Sequence, residues 1–275
     1  MYKILLPTDF SVNASNATDF AFEIASRSGA EIALFHCFDE DYDTEGNYVQ
    51  VFDLAKKSAD AALNKVAESY QKHPKYSKIK LGLHTLPGNL VDAIQEIIGI
   101  THADLIIMGT RGASGLKEIL IGSNAVRVIE NVELPVLLVP EAAKLKEVRN
   151  ILFATDLKSI GNDDALDLLN QMAKLFDAEV RIAHVKPKGK HTRWEEKIEA
   201  SRIGSLLGDD VRHSFKRIYS SKVLKGIQFY LDLKGDNEML CMLVRRKSLV
   251  EKLFTPEHTK TMAFHSNIPL LLLKE

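Results

Sequence analysis

Residues 2–10 read Tyr2-Lys3-Ile4-Leu5-Leu6-Pro7-Thr8-Asp9-Phe10, an apolar run of strand length stopped by Thr-Asp. The phrase returns as Arg149-Asn150-Ile151-Leu152-Phe153-Ala154-Thr155-Asp156-Leu157. Further on, Ala30-Glu31-Ile32-Ala33-Leu34-Phe35-His36 is echoed by Ala178-Glu179-Val180-Arg181-Ile182-Ala183-His184. Both halves close alike, with Leu134-Pro135-Val136-Leu137-Leu138-Val139 against Ile268-Pro269-Leu270-Leu271-Leu272-Leu273. Three matches in one order mark an internal duplication. The polar joint Pro140-Glu141-Ala142-Ala143-Lys144-Leu145-Lys146-Glu147 sets the expected domains at 1–143 and 148–275.

Working outward from these runs, short apolar segments alternate with longer amphipathic ones, the βαβ rhythm of a parallel sheet covered by helices on both faces. The first half supports five strands, expected at 3–8, 32–37, near 80–85, at 105–108 and at 136–139. Ser11 or Asn13 can cap a first helix whose Ala17, Phe20, Ala21, Ile24 and Ala25 share one face, and Gly29 ends it. Further helices are expected near 50–71 and 90–98, with another between the fourth and fifth strands.

The 275 residues fit about two domains of 100–200 residues. Thirty-six basic against 37 acidic side chains leave a net charge of -1, without the field that binding to nucleic acid or an anionic membrane surface needs. Ile4-Leu5-Leu6 is too short for a secretory apolar region, and no run reaches the roughly 18 apolar residues of a membrane helix. Cys37 and Cys241 lie far apart with no metal-ligand spacing, which argues for a reducing compartment and two buried apolar thiols. A cytoplasmic protein is expected.

The fourth strand runs into glycines: Leu105-Ile106-Ile107-Met108-Gly109-Thr110-Arg111-Gly112-Ala113-Ser114-Gly115, then Gly122-Ser123-Asn124 before the helical pattern Ala125-Val126-Arg127-Val128-Ile129. In an open α/β sheet, ligands bind beyond the carboxyl ends of the strands where strand order reverses, and Gly109 and Gly112 fall at that end. Glycines there let backbone N–H groups approach a phosphate, and the following helix start offers unpaired N–H groups and a positive dipole end. Ser123 can cap that helix or donate to phosphate. Turning and capping alone also explain isolated glycines. Asp9 reads either as acceptor for ribose or adenine donors or as a helix cap. Arg111 reads as a phosphate partner or a solvated loop residue, and His36 and His184 as near-core histidines.

The spacing Gly109-x2-Gly112-x9-Gly122-Ser123 is similar to the Gly-x2-Gly-x9-Gly-Ser/Thr signature of the universal stress proteins, in their ATP-binding branch. Both halves resemble that family, so the likeness covers nearly the whole chain as a tandem pair. It implies two Rossmann-like (adenine nucleotide alpha hydrolase-like) domains, each a five-stranded parallel sheet of order 3-2-1-4-5 with helices on both faces. It implies ATP, with Mg2+, as cofactor. Pro7, Thr8 and Asp9 then meet the adenine-ribose end, and Cys37 borders the base. Met108 and Gly109 approach the ribose and first phosphate. Gly112, Gly122, Ser123 and Asn124 hold the phosphate chain, with Arg111 beside it. The resemblance also implies that the fifth strands of the two domains pair within one chain, in keeping with closing runs too apolar for open edges, and a homodimer stays open.

The second half has lost the loop. Aligning Pro135 with Pro269 sets Leu243, Arg246, Pro256 and Glu257 opposite Gly109, Gly112, Gly122 and Ser123. Side chains, a missing N–H and a negative charge then stand where backbone must meet phosphate. Arg245, Arg246 and Lys247 read as a solvated basic cluster or a different anion site. No Gly-x4-Gly-Lys-Ser/Thr, Gly-x-Ser-x-Gly, His-Glu-x-x-His or Gly-x-Gly-x-x-Gly occurs, so the motifs of efficient phosphoryl transfer and hydrolysis are absent. The expected function is ATP-binding stress-response regulation with slow or no hydrolysis. The alternatives are an ATP-using enzyme of related fold, or an interaction module with an empty pocket.

Overall fold

A computed structural model describes residues 3–39, 48–111, 121–143, 148–157, 160, 163–187, 193–244 and 268–274. The chain divides into two compact units, the main division falling between Glu141 and Ala142.

In the first unit, β1 (Lys3–Pro7) leads through α1 (Val12–Ser28) to β2 (Glu31–Phe38), then α2 (Tyr48–Gln71), β3 (Leu81–Pro87), α3 (Leu90–Thr101), β4 (Leu105–Gly109), α4 (Ser123–Asn131) and β5 (Val136–Val139). The strands are parallel in the order β3-β2-β1-β4-β5, so strand order reverses between β1 and β4. Ile4, Leu5 and Leu6 of β1 and Leu105, Ile106 and Ile107 of β4 are fully buried, as strands covered on both faces require.

Of the two candidate caps for α1, Ser11 holds the position: its hydroxyl accepts the Ala14 N–H at 3.2 Å. Asn13 lies inside the helix and is buried, which corrects its reading as a cap. Gly29, at φ 73, closes the helix by donating its N–H to the Ala25 carbonyl. α3 runs three residues past the expected end, to Thr101, because His102 adopts the left-handed conformation and donates its N–H to Ile98.

The second unit repeats the plan with β6 (Asn150–Ala154), a 3-10 turn at Asp163–Leu166, α5 (Asp167–Phe176), β7 (Glu179–Lys186), α6 (Arg193–Leu207), β8 (His213–Tyr219), α7 (Val223–Lys234), β9 (Met239–Val244) and β10 (Leu270–Lys274). Its strands are parallel in the order β8-β7-β6-β9-β10. Each unit is thus a Rossmann-like five-stranded sheet of order 3-2-1-4-5.

The duplication extends to individual hydrogen bonds. Lys3 N–H donates to the Asp104 carboxylate at 2.8 Å, and Asp104 N–H returns a bond to the Lys3 carbonyl. In the second unit Asn150 N–H donates to the Glu238 carboxylate at 2.9 Å, and Glu238 N–H bonds the Asn150 carbonyl. An acidic residue before the fourth strand therefore clips the start of the first strand in both halves. Among the described residues no helix is long and apolar enough to cross a membrane.

Candidate functional site

The carboxyl ends of β1, β2 and β4, the turn after β3 and the start of α4 enclose a cavity of about 460 Å³ in the first unit. That size and its place at the strand-order reversal are those of a small-molecule site.

One wall is the turn after β1. Thr8 N–H donates to the Phe35 carbonyl at 2.8 Å, and the Thr8 hydroxyl accepts the Phe10 N–H at 3.1 Å. The Thr8 carbonyl takes a 2.8 Å hydrogen bond from His36 Nδ1, which must carry the proton because a carbonyl only accepts. Phe10 sits at φ 61, a conformation costing a non-glycine residue roughly 1–2 kcal/mol, with its ring 4.4 Å from that of His36. Asp9 Oδ1 accepts the Ser11 N–H at 3.1 Å, so Asp9 shapes the turn while Ser11 caps the helix. Pro7, Thr8 and Asp9 all line the cavity.

The same strained turn stands in the second unit. Leu157 lies at φ 55, its N–H donates to the Thr155 hydroxyl at 3.1 Å, and His184 Nδ1 donates to the Thr155 carbonyl at 3.1 Å. The matched histidines are therefore turn clamps, holding Thr-Asp at a strand end.

A second wall follows β2 and β3. Cys37 is half-buried at the cavity, which corrects the expectation of a buried thiol; Cys241 is buried as expected. The Cys37 thiol donates to the Gly88 carbonyl at 3.1 Å, and Gly88, at φ 96, returns its N–H to the Phe38 carbonyl. Asn89 caps α3 by accepting the Val91 N–H. Gly88, Asn89, Leu90 and Asp39 line the cavity but were not legible as site residues; the turn signal Pro87-Gly88-Asn89 at a strand's carboxyl end is what marks them.

The third wall is the end of β4 and the start of α4, where Met108, Gly109, Arg111, Gly122, Ser123 and Asn124 all line the cavity. Gly112 lies outside the described residues. Gly109 has a packing reason of its own, since a Cβ there would come within 2.8 Å of Asn13 Cγ and 3.2 Å of the Asn13 backbone carbon. Asn13 Oδ1 accepts the Arg111 N–H at 2.7 Å, and its Nδ2 donates to the Val139 carbonyl at 3.1 Å. This buried amide ties the start of the glycine loop to α1 and β5. Gly122 N–H, bonded to the Thr110 carbonyl at 2.7 Å, brings the far end of the loop back to β4.

α4 begins at Ser123 with Gly122 in the cap position and no side-chain cap, so Ser123 is not the cap it resembled. The first intrahelical bond recorded at this end is from Val126 N–H to Gly122. The N–H groups of Ser123, Asn124 and Ala125 have no intrahelical acceptor, and all three residues line the cavity. Arg111 Nη1 stands 3.9 Å from the Glu141 carboxylate, and its buried Nε has no hydrogen-bond partner among the described residues. Arg127, one turn into α4, also lines the cavity. Carboxylates thus sit at the β1 and β2 ends, while guanidinium groups and N–H donors without an intrahelical acceptor sit at the β4 and α4 end.

Opposite these features the second unit is described only in part. Leu243 takes the place of Gly109 within β9, paired with Leu273. Arg246, Pro256 and Glu257, and the Arg245 to Lys247 cluster, lie outside the described residues.

Residues 1–140 match the model of the universal stress protein family. This chain belongs to the universal stress protein family. Among curated relatives, Universal stress protein MJ0531 of Methanocaldococcus jannaschii is 35% identical over 146 residues, 52% of this chain and 84% of that protein. Universal stress protein MJ0577 of the same organism is 33% identical over 161 residues, 50% of this chain and 95% of that protein. The crystal structure of a universal stress protein from Archaeoglobus fulgidus DSM 4304 matches 99% of this chain and 98% of its own, at 21% identity and a TM-score of 0.74. That last likeness carries the fold across both units.

Proposed function

We propose that the first domain, residues 1–143, binds ATP, and that the protein is a cytoplasmic, nucleotide-dependent regulator of the stress response with slow or no hydrolysis. The observation that supports this most is the polarity of the cavity: Asp9 and Asp39, which accept from hydroxyl and amine donors, at one end, and Arg111 with helix N–H groups that lack an intrahelical acceptor at the other. A nucleotide has the same polarity, with donors on base and ribose and a polyanionic tail. In this reading Pro7, Thr8 and Asp9 meet the ribose end and Cys37 borders the base. Met108 and Gly109 flank the ribose and first phosphate, and Gly112, Gly122, Ser123 and Asn124 hold the tail.

ATP would supply a removable polyanion at the start of α4. Mg2+ fits only as a companion of the phosphates: among the described residues no group of three His, Cys, Asp or Glu side chains could hold a metal by itself. The second domain, residues 148–275, keeps the clamped Thr-Asp turn but has Leu243 at the first glycine position, and we assign it no nucleotide. The apolar closing strands, Val136–Val139 and 270–273, are assigned to pairing of the two domains within one chain, and a homodimer stays open.

The test is to purify the full chain under native conditions, denature it and identify any released nucleotide by mass. A turnover assay with magnesium follows. Adenine nucleotide in the wild type, lost in Gly122→Val, with turnover at background, is the expected outcome. Multiple turnovers above background would make the protein an enzyme.

A further inference from the structure

We infer that Arg127 reads the terminal phosphate and sets a preference for the triphosphate over shorter forms. This rests on the nucleotide reading of the cavity and extends it to a residue outside the glycine loop. Arg127 follows Ser123 by four positions on α4, so the two share a helix face. Long helical side chains lean toward the N-terminus, which directs Arg127 toward Ser123 and the first-turn N–H groups that have no intrahelical acceptor. It lines the same cavity as those groups.

The charge environment distinguishes it from its neighbours. The first unit has three described arginines. Arg27 is bound to Glu23 at 2.7 Å, and Arg111 faces Glu141 at 3.9 Å. Among the described residues the Arg127 guanidinium has neither a hydrogen bond nor an ion pair, although its backbone carbonyl accepts the Asn131 side chain and α4 is intact there. The acidic lining residues, Asp9 and Asp39, belong to the β1 and β2 ends, so Arg127 is not neutralised from its own wall. A phosphate chain anchored at the start of α4 meets Arg127 only with the groups farthest from the ribose. An unneutralised guanidinium there favours added negative charge, with bidentate geometry suited to phosphate oxygens.

The test is calorimetric titration of the full chain with ATP, ADP and AMP, for wild type, Arg127→Gln and Arg127→Lys. Arg127→Gln is expected to weaken ATP about tenfold, since hydrogen bonds to charged groups contribute about that much. AMP affinity should stay within about twofold, compressing the ladder, and Arg127→Lys should restore part of the ATP affinity. Because Arg127 is exposed, the variants should melt with the wild type. Equal losses for ATP and AMP, or an unchanged ATP affinity, would overturn the assignment of Arg127 while leaving the nucleotide site standing. A wild type that binds none of the three would overturn the nucleotide reading and this inference with it.

Discussion

Replacing Gly109 by alanine should destabilise the first domain by steric conflict with one identifiable side chain. The added Cβ would lie 2.8 Å from Asn13 Cγ and 3.2 Å from its backbone carbon. Swinging the amide away relieves only the first of these. It also breaks the 2.7 Å bond from Arg111 N–H and the 3.1 Å bond to the Val139 carbonyl. That carbonyl keeps the Thr110 N–H, so the lasting cost falls on the Arg111 donor. Overpacking of this kind costs about 1–3 kcal/mol and a stranded, part-buried donor about 1–2 kcal/mol more, a total of roughly 3 kcal/mol. The domain should still fold, since domains hold about 5–15 kcal/mol in reserve. Urea unfolding followed by circular dichroism would measure the loss, in both the wild-type and the Asn13→Ala background. Truncating Asn13 removes the Cγ contact, so Gly109→Ala should cost at least about 1 kcal/mol less there. A Gly109→Ala protein within about 0.5 kcal/mol of wild type, or equal costs in the two backgrounds, would refute the account of this glycine.

The paired histidine clamps make a contrast between domains: His36→Ala should cost about 1 kcal/mol and weaken ATP several-fold by loosening the Asp9 turn. His184→Ala should cost a similar amount and leave ATP affinity unchanged, and equal weakening in a titration of both variants would contradict a site confined to the first domain. Glu23 governs an acid limb: burial pushes its carboxyl up, but hydrogen bonds and charge from Lys75 and Arg27 outweigh burial and leave it below its usual 4.5. Its contribution is therefore complete above that value and lost as pH falls through the depressed folded pKa, so Glu23→Gln should flatten the decline of the urea midpoint below about pH 4.5. Identical acid limbs in the two proteins would show that this carboxylate is not the group responsible.

What was legible in the sequence follows from how local the cause is. The apolar runs, the repeated Thr-Asp and Gly29 are local signals, and they placed the strands, the duplication and the end of α1 within a few residues. Asn13 was misread because an asparagine near a helix start has the composition of a cap. Its partners, Arg111 and Val139, lie far along the chain and meet it only through the β1-β4-β5 order. The need for glycine at 109 is equally non-local, being set by Asn13 as well as by any ligand. Gly88 and Asn89 read locally as a strand end and a cap, and only the β2–β3 register brings them to the cavity. Cys37 is half-buried because it nears the end of β2, where the sheet opens into that cavity. Arg127 looks like any solvated helix arginine until Ser123 is placed one turn below it.

Stoichiometry tests the central claim most directly. Calorimetric titration of the full chain with ATP should give one site per chain. Gly122→Val should abolish it, because Val is tolerated at φ -69, ψ 157 but adds a branched side chain to the wall where the α4 N–H groups gather. Two sites per chain, none, or an undiminished site in Gly122→Val would contradict a single nucleotide held by the first domain alone.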